Sequence, residues 1–140
     1  MADRPGYVWD TYNPTPVMST YLLAWVVSKY ESAKSTSARG VKFEAFYTNA
    51  SKMQHAADVG AKMLDHFEQK VFGINYNLPK MDIVAVPRRN GAMENWGMMT
   101  FKVGLVLQRN TLHDMFYNDG IMAHELVCIP YMSFHRFFII

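Results

Sequence analysis

The chain contains 140 residues and has a mass of 16.1 kDa, the size of one ordinary domain and enough to bury a core. Half of the residues are apolar and 19% are charged, which argues against a disordered chain. The formal net charge of +2 is too small to indicate a nucleic acid or an anionic membrane as partner. The single cysteine, Cys128, excludes an internal disulfide framework and a multi-cysteine zinc finger. No apolar run approaches the ~20 residues of a membrane span, and the opening residues lack a signal-peptide pattern.

The first third of the chain predicts two strands separated by a loop. Residues 18–30 are rich in Val, Leu, Tyr and Trp, a composition typical of a strand. Residues 32–40 are small and polar and are interpreted as the loop. Residues 41–47 alternate between apolar and polar side chains, which predicts a half-buried strand.

The clearest predicted helix covers residues 52–72. Asn49 or Ser51 can cap its start, and Gly73 stands where a glycine commonly ends a helix. Apolar or small residues recur at spacings of three and four and form one stripe: Met53, Ala56, Ala57, Gly60, Leu64, Phe67 and Val71.

The last part of the chain predicts further strands and a second helix. Residues 81–86 form an almost wholly apolar run that suits a central strand ended by Pro87. Residues 96–107 fit one strand or two, and residues 118–127 fit a helix that we expect to stop near Ile129, because Pro130 removes a backbone donor. The order of elements predicts a mixed α+β fold.

Two short motifs carry the chemistry. One is Gly-Ala-Met-Glu-Asn-Trp-Gly at residues 91–97, and the other is the dipeptide His124-Glu125 on the second predicted helix. Zinc peptidases place His-Glu-x-x-His on a helix, since residues four apart share one face and the glutamate takes a proton from zinc-bound water. Here Cys128 occupies the second histidine position. Taken singly, His124 and Glu125 are more typical of ordinary helix residues, and residues 91–97 are typical of a turn that enters a strand.

Together, the proline-ended strand, the residues 91–97 motif and the Ala-His-Glu-Leu-Val helix resemble the aminopeptidase N family of zinc metalloaminopeptidases. Residues 18–28 and 78–87 also resemble family segments, so that the resemblance extends over residues 13–127. It implies an α+β fold in which residues 1–38 are the closing strands of an N-terminal β domain. Residues 39–127 are then the first part of a thermolysin-like catalytic domain, and residues 128–140 are a divergent tail.

The resemblance also implies roles for individual residues. The backbone of Gly91, Ala92 and Met93 binds an extended peptide beside the strand, Glu94 receives the free α-ammonium of the substrate, and Asn95 fixes the geometry of the strand. His124 is the first zinc ligand and Glu125 the general base. The implied cofactor is zinc, and the implied partners are peptides with a free N-terminus, without a nucleic acid or a membrane span.

Three departures from the family pattern bear on activity. The loop at residues 88–90 is one residue shorter, Cys128 replaces the second histidine, and the tail offers no counterpart of the third ligand, a glutamate on a following helix. We therefore expect a zinc metalloaminopeptidase by resemblance whose 140 residues are inactive alone. The alternatives are a truncated isoform, a mispredicted product or a peptide-binding pseudoenzyme. Cys128 and His135 are further candidate zinc donors, against the simpler interpretation of a cysteine without a metal.

The incomplete pattern also predicts uncovered apolar surface. We expect the strand edges and the apolar stripe of the helix at residues 52–72 to lack a neighbour, and hence aggregation or dependence on another chain.

Overall fold

The computed structural model describes residues 6–107 and 111–134, with side chains as far as residue 129. It contains five strands and two long helices: β1 Glu31–Thr36, β2 Lys42–Tyr47, α1 Gln54–His66, β3 Lys80–Val86, β4 Ala92–Met93, β5 Met98–Lys102 and α2 Leu112–Phe134. Single 3-10 turns precede α1 and follow β5, and a π-helical segment, Phe67–Phe72, extends α1 to Gly73. The predicted α+β class is confirmed.

The strands form one mixed sheet in the order β1-β2-β3-β5-β4. β2, β3 and β5 run parallel to one another, while β1 and β4 pair antiparallel to their neighbours. β3 lies at the centre of the sheet and is buried from Met81 to Ala85, as the apolar run predicted. β4 lies at one edge, which leaves one side of its backbone without a paired strand among the described residues.

The core lies between the sheet and α1. Phe43, Ile83 and Phe101 are fully buried, and the helix approaches Phe43 and Ile83 closely at Gly60. A Cβ atom at Gly60 would lie 3.0 Å from Phe43 Cε1 and 3.3 Å from Ile83 Cδ1, so the absence of a side chain sets this distance. The expectation that the stripe lacks cover is therefore wrong from Met53 to Leu64, which this same chain buries, whereas Val71 at the end of the stripe is exposed.

Two further predictions for the first third of the chain are wrong. Residues 18–30 contain a 3-10 turn at Thr20–Leu22 instead of a strand, because an apolar sequence becomes a strand only beside another strand, and none of the described strands pairs with it. Residues 32–40 were expected to be a loop but contain most of β1. Their small polar residues have little strand preference of their own, and pairing with β2 supplies the backbone hydrogen bonds that make them a strand. Residues 41–47 form a strand as predicted.

The second helix is longer than predicted at both ends. It begins at Leu112 and continues through Pro130 to Phe134 rather than stopping near Ile129. A proline inside a helix removes one backbone hydrogen bond and costs about 3 kcal/mol. The buried side chains of Leu126 and Ile129 pack this part of the helix against the core, and that packing opposes the cost. No helix among the described residues is both long and apolar enough to cross a membrane.

Candidate active site

The strand of the Gly-Ala-Met-Glu-Asn motif forms one side of the site. Gly91 has a left-handed backbone (φ 69°), and its carbonyl oxygen accepts a hydrogen bond of 2.8 Å from Lys102 N. Ala92 and Met93 then pair with β5 as the edge strand β4. Glu94 follows directly, half-buried, at the end of this strand.

Asn95 connects this strand to the N-terminal segment. Its side chain is buried, and its Nδ2 donates to the carbonyl oxygens of Leu22 at 3.3 Å and Tyr21 at 3.4 Å. Its Oδ1 accepts a hydrogen bond of 3.2 Å from Thr100 Oγ1. The role implied for Asn95 by resemblance stays a prediction, but these contacts tie the end of the motif to two other parts of the chain.

Helix α2 forms the opposite side of the site and contacts β4. Two polar contacts fix its first half: Asp119 Oδ1 lies 2.9 Å from His55 Nε2 on α1, and Asn118 Nδ2 donates to Gly104 O at 3.5 Å. Met122, Leu126 and Ile129 are buried on the face that packs against the core. Because His124 and Glu125 lie between Met122 and Leu126, this packing fixes the orientation of the helical turn that carries them.

Glu125 is a buried carboxyl group, only 6% exposed, next to another carboxylate. Burial raises the pKa of Glu125, and Glu94 raises it further through its charge and a side-chain hydrogen bond. The charges of His124 and Arg89 lower the pKa of Glu125, but they do not outweigh these effects. The structure thus brings together Glu94 and Glu125, which lie far apart in the sequence.

Cys128 lies one helical turn after His124, and its Sγ is 3.7 Å from His124 Nε2. Burial raises the pKa of the Cys128 thiol, and the nearby carboxylates of Glu94 and Glu125 raise it further. The neutral thiol is therefore favoured at this position when no metal is bound.

These residues can be tested for their fit to zinc. A catalytic zinc ion takes three protein ligands and keeps one position open. His124 and Cys128 supply two neighbouring donors, yet within residues 6–107 and 111–134 no group of three or more His, Cys, Asp or Glu side chains is arranged to hold a metal ion. His135, the further candidate donor, lies outside the described residues. The described residues do not make up a catalytic zinc site, and we assign no metal-dependent step to them.

Arg89 is the residue of this site that the sequence motifs did not single out. It lies half-buried in the short loop between β3 and β4, and its charge acts on Glu125. The one available signal was the loop itself, which departs in length and charge from the pattern of the family.

The edge strand carries the Gly-Ala-Met-Glu-Asn motif and packs against a His-Glu helix beside a mixed sheet. This combination defines part of a peptidase domain. The match to known families agrees with that class. The chain belongs to peptidase family M1, because the model described as "Peptidase family M1 domain" matches residues 55–128, just over half of its length.

Curated relatives carry aminopeptidase names. The chain is 44% identical over 128 residues to "Aminopeptidase 2, mitochondrial" of Saccharomyces cerevisiae, and this match covers 88% of the chain and 13% of the relative. It is 41% identical over 129 residues to "Alanine/arginine aminopeptidase" of the same yeast, covering 88% of the chain and 15% of the relative. It is 35% identical over 127 residues to "Endoplasmic reticulum aminopeptidase 2" of Bos taurus, covering 86% and 13%. The chain thus spans about an eighth of the length of these relatives.

Proposed function

We propose that this chain is the part of an aminopeptidase that binds the N-terminal end of a peptide. The edge strand formed by Ala92 and Met93, with Gly91 before it, offers backbone groups to an extended peptide, and Glu94 receives the α-ammonium of the first residue. In a complete enzyme of this family, His124 would be a zinc ligand and Glu125 the general base. The observation that carries the proposal is the close approach of Glu94 and Glu125, where β4 meets α2.

The pairing of two carboxylates gives a physical reason for selecting a free N-terminus. Glu125 is buried beside Glu94, and the charges of His124 and Arg89 do not offset the rise in its pKa, so a further cation here would stabilise the ionised carboxylates. A peptide α-ammonium supplies that cation, whereas an acetylated N-terminus or an internal amide leaves the carboxylates unpaired. Truncating one partner of a buried charge pair typically costs about 2–5 kcal/mol of binding free energy.

The second candidate function is a binding module without turnover. It is favoured by Cys128 at the second ligand position and by the lack of a three-donor group among the described residues. We propose that the 140-residue chain, tested by itself, behaves in this way. The residues that bind the peptide and those that take part in hydrolysis are then separable in this protein.

Binding is tested by titrating the 140-residue chain with leucinamide and with N-acetyl-leucinamide in a calorimeter. We expect binding of the free amine only, and a loss of at least about 10-fold in affinity for Glu94→Gln. Glu44→Gln on β2 removes a charge at a distant position and is the matched control. Equal binding of the acetylated compound, or unchanged affinity of Glu94→Gln, would contradict the proposed role of Glu94.

Turnover is tested separately with an aminoacyl anilide after loading with zinc and measuring the metal content. We expect no hydrolysis by the 140-residue chain and tighter zinc binding by Cys128→His, which restores the second imidazole of the motif. Stoichiometric zinc together with turnover by the unaltered chain would refute the proposed inactivity and would leave the binding result unaffected.

A further inference from the structure

The loop between β3 and β4 turns sharply and brings a basic side chain to the site. Arg88 has a left-handed backbone conformation (φ 58°), the one such non-glycine residue among those described. A residue other than glycine, asparagine or aspartate seldom adopts this conformation, and it costs of order 1–3 kcal/mol. The strained residue immediately precedes Arg89, so the turn determines where the Arg89 side chain begins.

Arg89 carries a polar atom that is buried without a partner. Its Nε is inaccessible to solvent and makes no hydrogen bond with any of the described residues. An unsatisfied buried donor normally costs about 1–3 kcal/mol, and such groups in a folded protein call for an explanation. The Arg89 side chain as a whole is only half-buried, so a ligand acceptor that enters beside it and reaches this N–H group would remove the cost.

The position of Arg89 indicates which ligand group is suitable. Arg89 lies two residues before Gly91, just ahead of the motif strand β4, and its charge acts on Glu125. Yet neither Glu94 nor Glu125 is within ion-pair distance of Arg89 among the described pairs. The Nε–H and an Nη–H of arginine form a planar fork that matches the two oxygens of a carboxylate.

We propose that Arg89 is a specificity-determining residue that binds a carboxylate of the same ligand whose α-ammonium Glu94 receives. This inference rests on the proposed function of Glu94. The chemistry it selects is a carboxylate close to a free α-ammonium, which has two sources. One is the acidic side chain of a peptide's first residue, and the other is the free α-carboxylate of a single amino acid.

Three small probes with a free α-ammonium distinguish these sources in calorimetric titrations of the 140-residue chain. Glutamic acid α-amide carries only the side-chain carboxylate, glutamine carries only the α-carboxylate, and glutaminamide carries neither. We expect one of the first two probes to bind about 10-fold or more tightly than glutaminamide, the factor typical of a hydrogen bond to a charged group. The probe that shows the gain identifies the source.

Variants assign that gain to Arg89. Arg89→Gln should bind all three probes with the affinity of glutaminamide, and Arg89→Lys, which keeps the charge but loses the fork, should recover only part of the gain. Arg88→Gln removes the same charge at the adjacent exposed position and should keep the full gain. Far-ultraviolet circular dichroism of each variant checks that the fold is retained.

Each remaining result overturns the inference in a distinguishable way. Equal affinity for all three probes, or a gain that persists in Arg89→Gln, overturns the role of Arg89 and leaves Glu94 in place. If Arg88→Gln also abolishes the gain in affinity, the gain comes from the positive charge of the loop in general and not from the fork of Arg89. Failure of all three probes to bind overturns the proposed function together with the inference.

Discussion

Glu68 and Glu125 are both buried carboxyl groups, 5% and 6% exposed, but their surroundings differ completely. Arg39 donates to both oxygens of Glu68, at 3.1 Å from Nε and 2.7 Å from Nη2, and Tyr76 N donates to it at 2.6 Å. Glu125 instead lies beside a second carboxylate, Glu94. The comparison teaches that a fully partnered buried charge supports the fold, whereas a poorly partnered one marks the place where a ligand is expected.

The same contrast extends to the two arginines. Arg39 Nη2 also donates to Tyr76 O at 2.7 Å, so this guanidinium joins the loop before β2 to the segment before β3. Arg89, near Glu125, keeps a buried Nε without a partner among the described residues. Arg39 and Glu68 are thus paired with each other, whereas two buried polar atoms among the described residues have no partner: Arg89 Nε near β4 and Asp82 Oδ1 on β3.

The largest expected effect concerns the apolar core between α1 and the sheet. Phe43→Ala should lower the free energy of unfolding by about 3–5 kcal/mol, because Phe43 is fully buried and packs against Gly60. The measurement is urea unfolding followed by circular dichroism. Phe116→Ala, the same substitution at an exposed position on α2, is the control and should change the value by less than about 0.5 kcal/mol. Similar losses for both variants would mean that α2 packs as tightly as the α1 side.

The second prediction concerns Glu68, the buried carboxylate that Arg39 and Tyr76 partner. Burial alone would raise the pKa of Glu68, but the hydrogen bonds from Arg39 and Tyr76 and the charge of Arg39 outweigh it, and the pKa lies below its usual value of 4.5. A lowered pKa contributes stability that is present above pH 4.5 and is lost as the pH falls through the folded-state pKa. Glu68→Gln should therefore cost about 2 kcal/mol at pH 7.

The pH dependence separates this effect from a general loss of packing. The free energies of unfolding of the unaltered chain and Glu68→Gln should converge as the pH is lowered below 4.5. Glu44→Gln, which removes the ion pair of a half-buried glutamate with the exposed Lys34, should cost less than about 1 kcal/mol and keep the acid-dependent loss. A constant difference between the unaltered chain and Glu68→Gln at every pH would contradict the assignment.

Much of the fold could be predicted from local patterns, but residues 18–40 could not. The stripe of α1 and the apolar run of β3 each specify burial by their own periodicity. β1 has no such pattern: Glu31–Thr36 becomes a strand because β2 lies beside it, which is a property of the tertiary structure. Conversely, residues 7–27 carry exposed aromatic and branched side chains that periodicity assigns to no face, among them Trp9 at 81% and Val27 at 94% exposure.

The site was predictable as a set of residues but not as an arrangement. The two motifs, taken together through the family resemblance, pointed to Glu94, His124 and Glu125 as candidates, and the roles of these residues stay predictions. The sequence did not indicate that Arg89 would carry a buried, unpartnered donor, because this depends on the left-handed turn at Arg88. Strain and missing partners are features of three-dimensional packing: the left-handed Arg88 and the unpartnered Arg89 Nε lie next to the motif strand, and the unpartnered Asp82 Oδ1 lies on β3.

The smallest expected effect has the opposite sign and tests the pairing of Glu125 with a second carboxylate directly. Glu125→Gln keeps the shape of the side chain and removes one of two neighbouring negative charges, so it should raise the free energy of unfolding at pH 7 by about 0.5–1 kcal/mol. Glu94→Gln should give a similar gain, and the double variant should gain little more, since either change relieves the same repulsion. A loss of more than about 1 kcal/mol in Glu125→Gln would place Glu125 with Glu68 as a partnered, structural carboxylate. Because Glu94→Gln should at the same time weaken the binding of a free amine, stability and binding are expected to change in opposite directions at this end of the sheet.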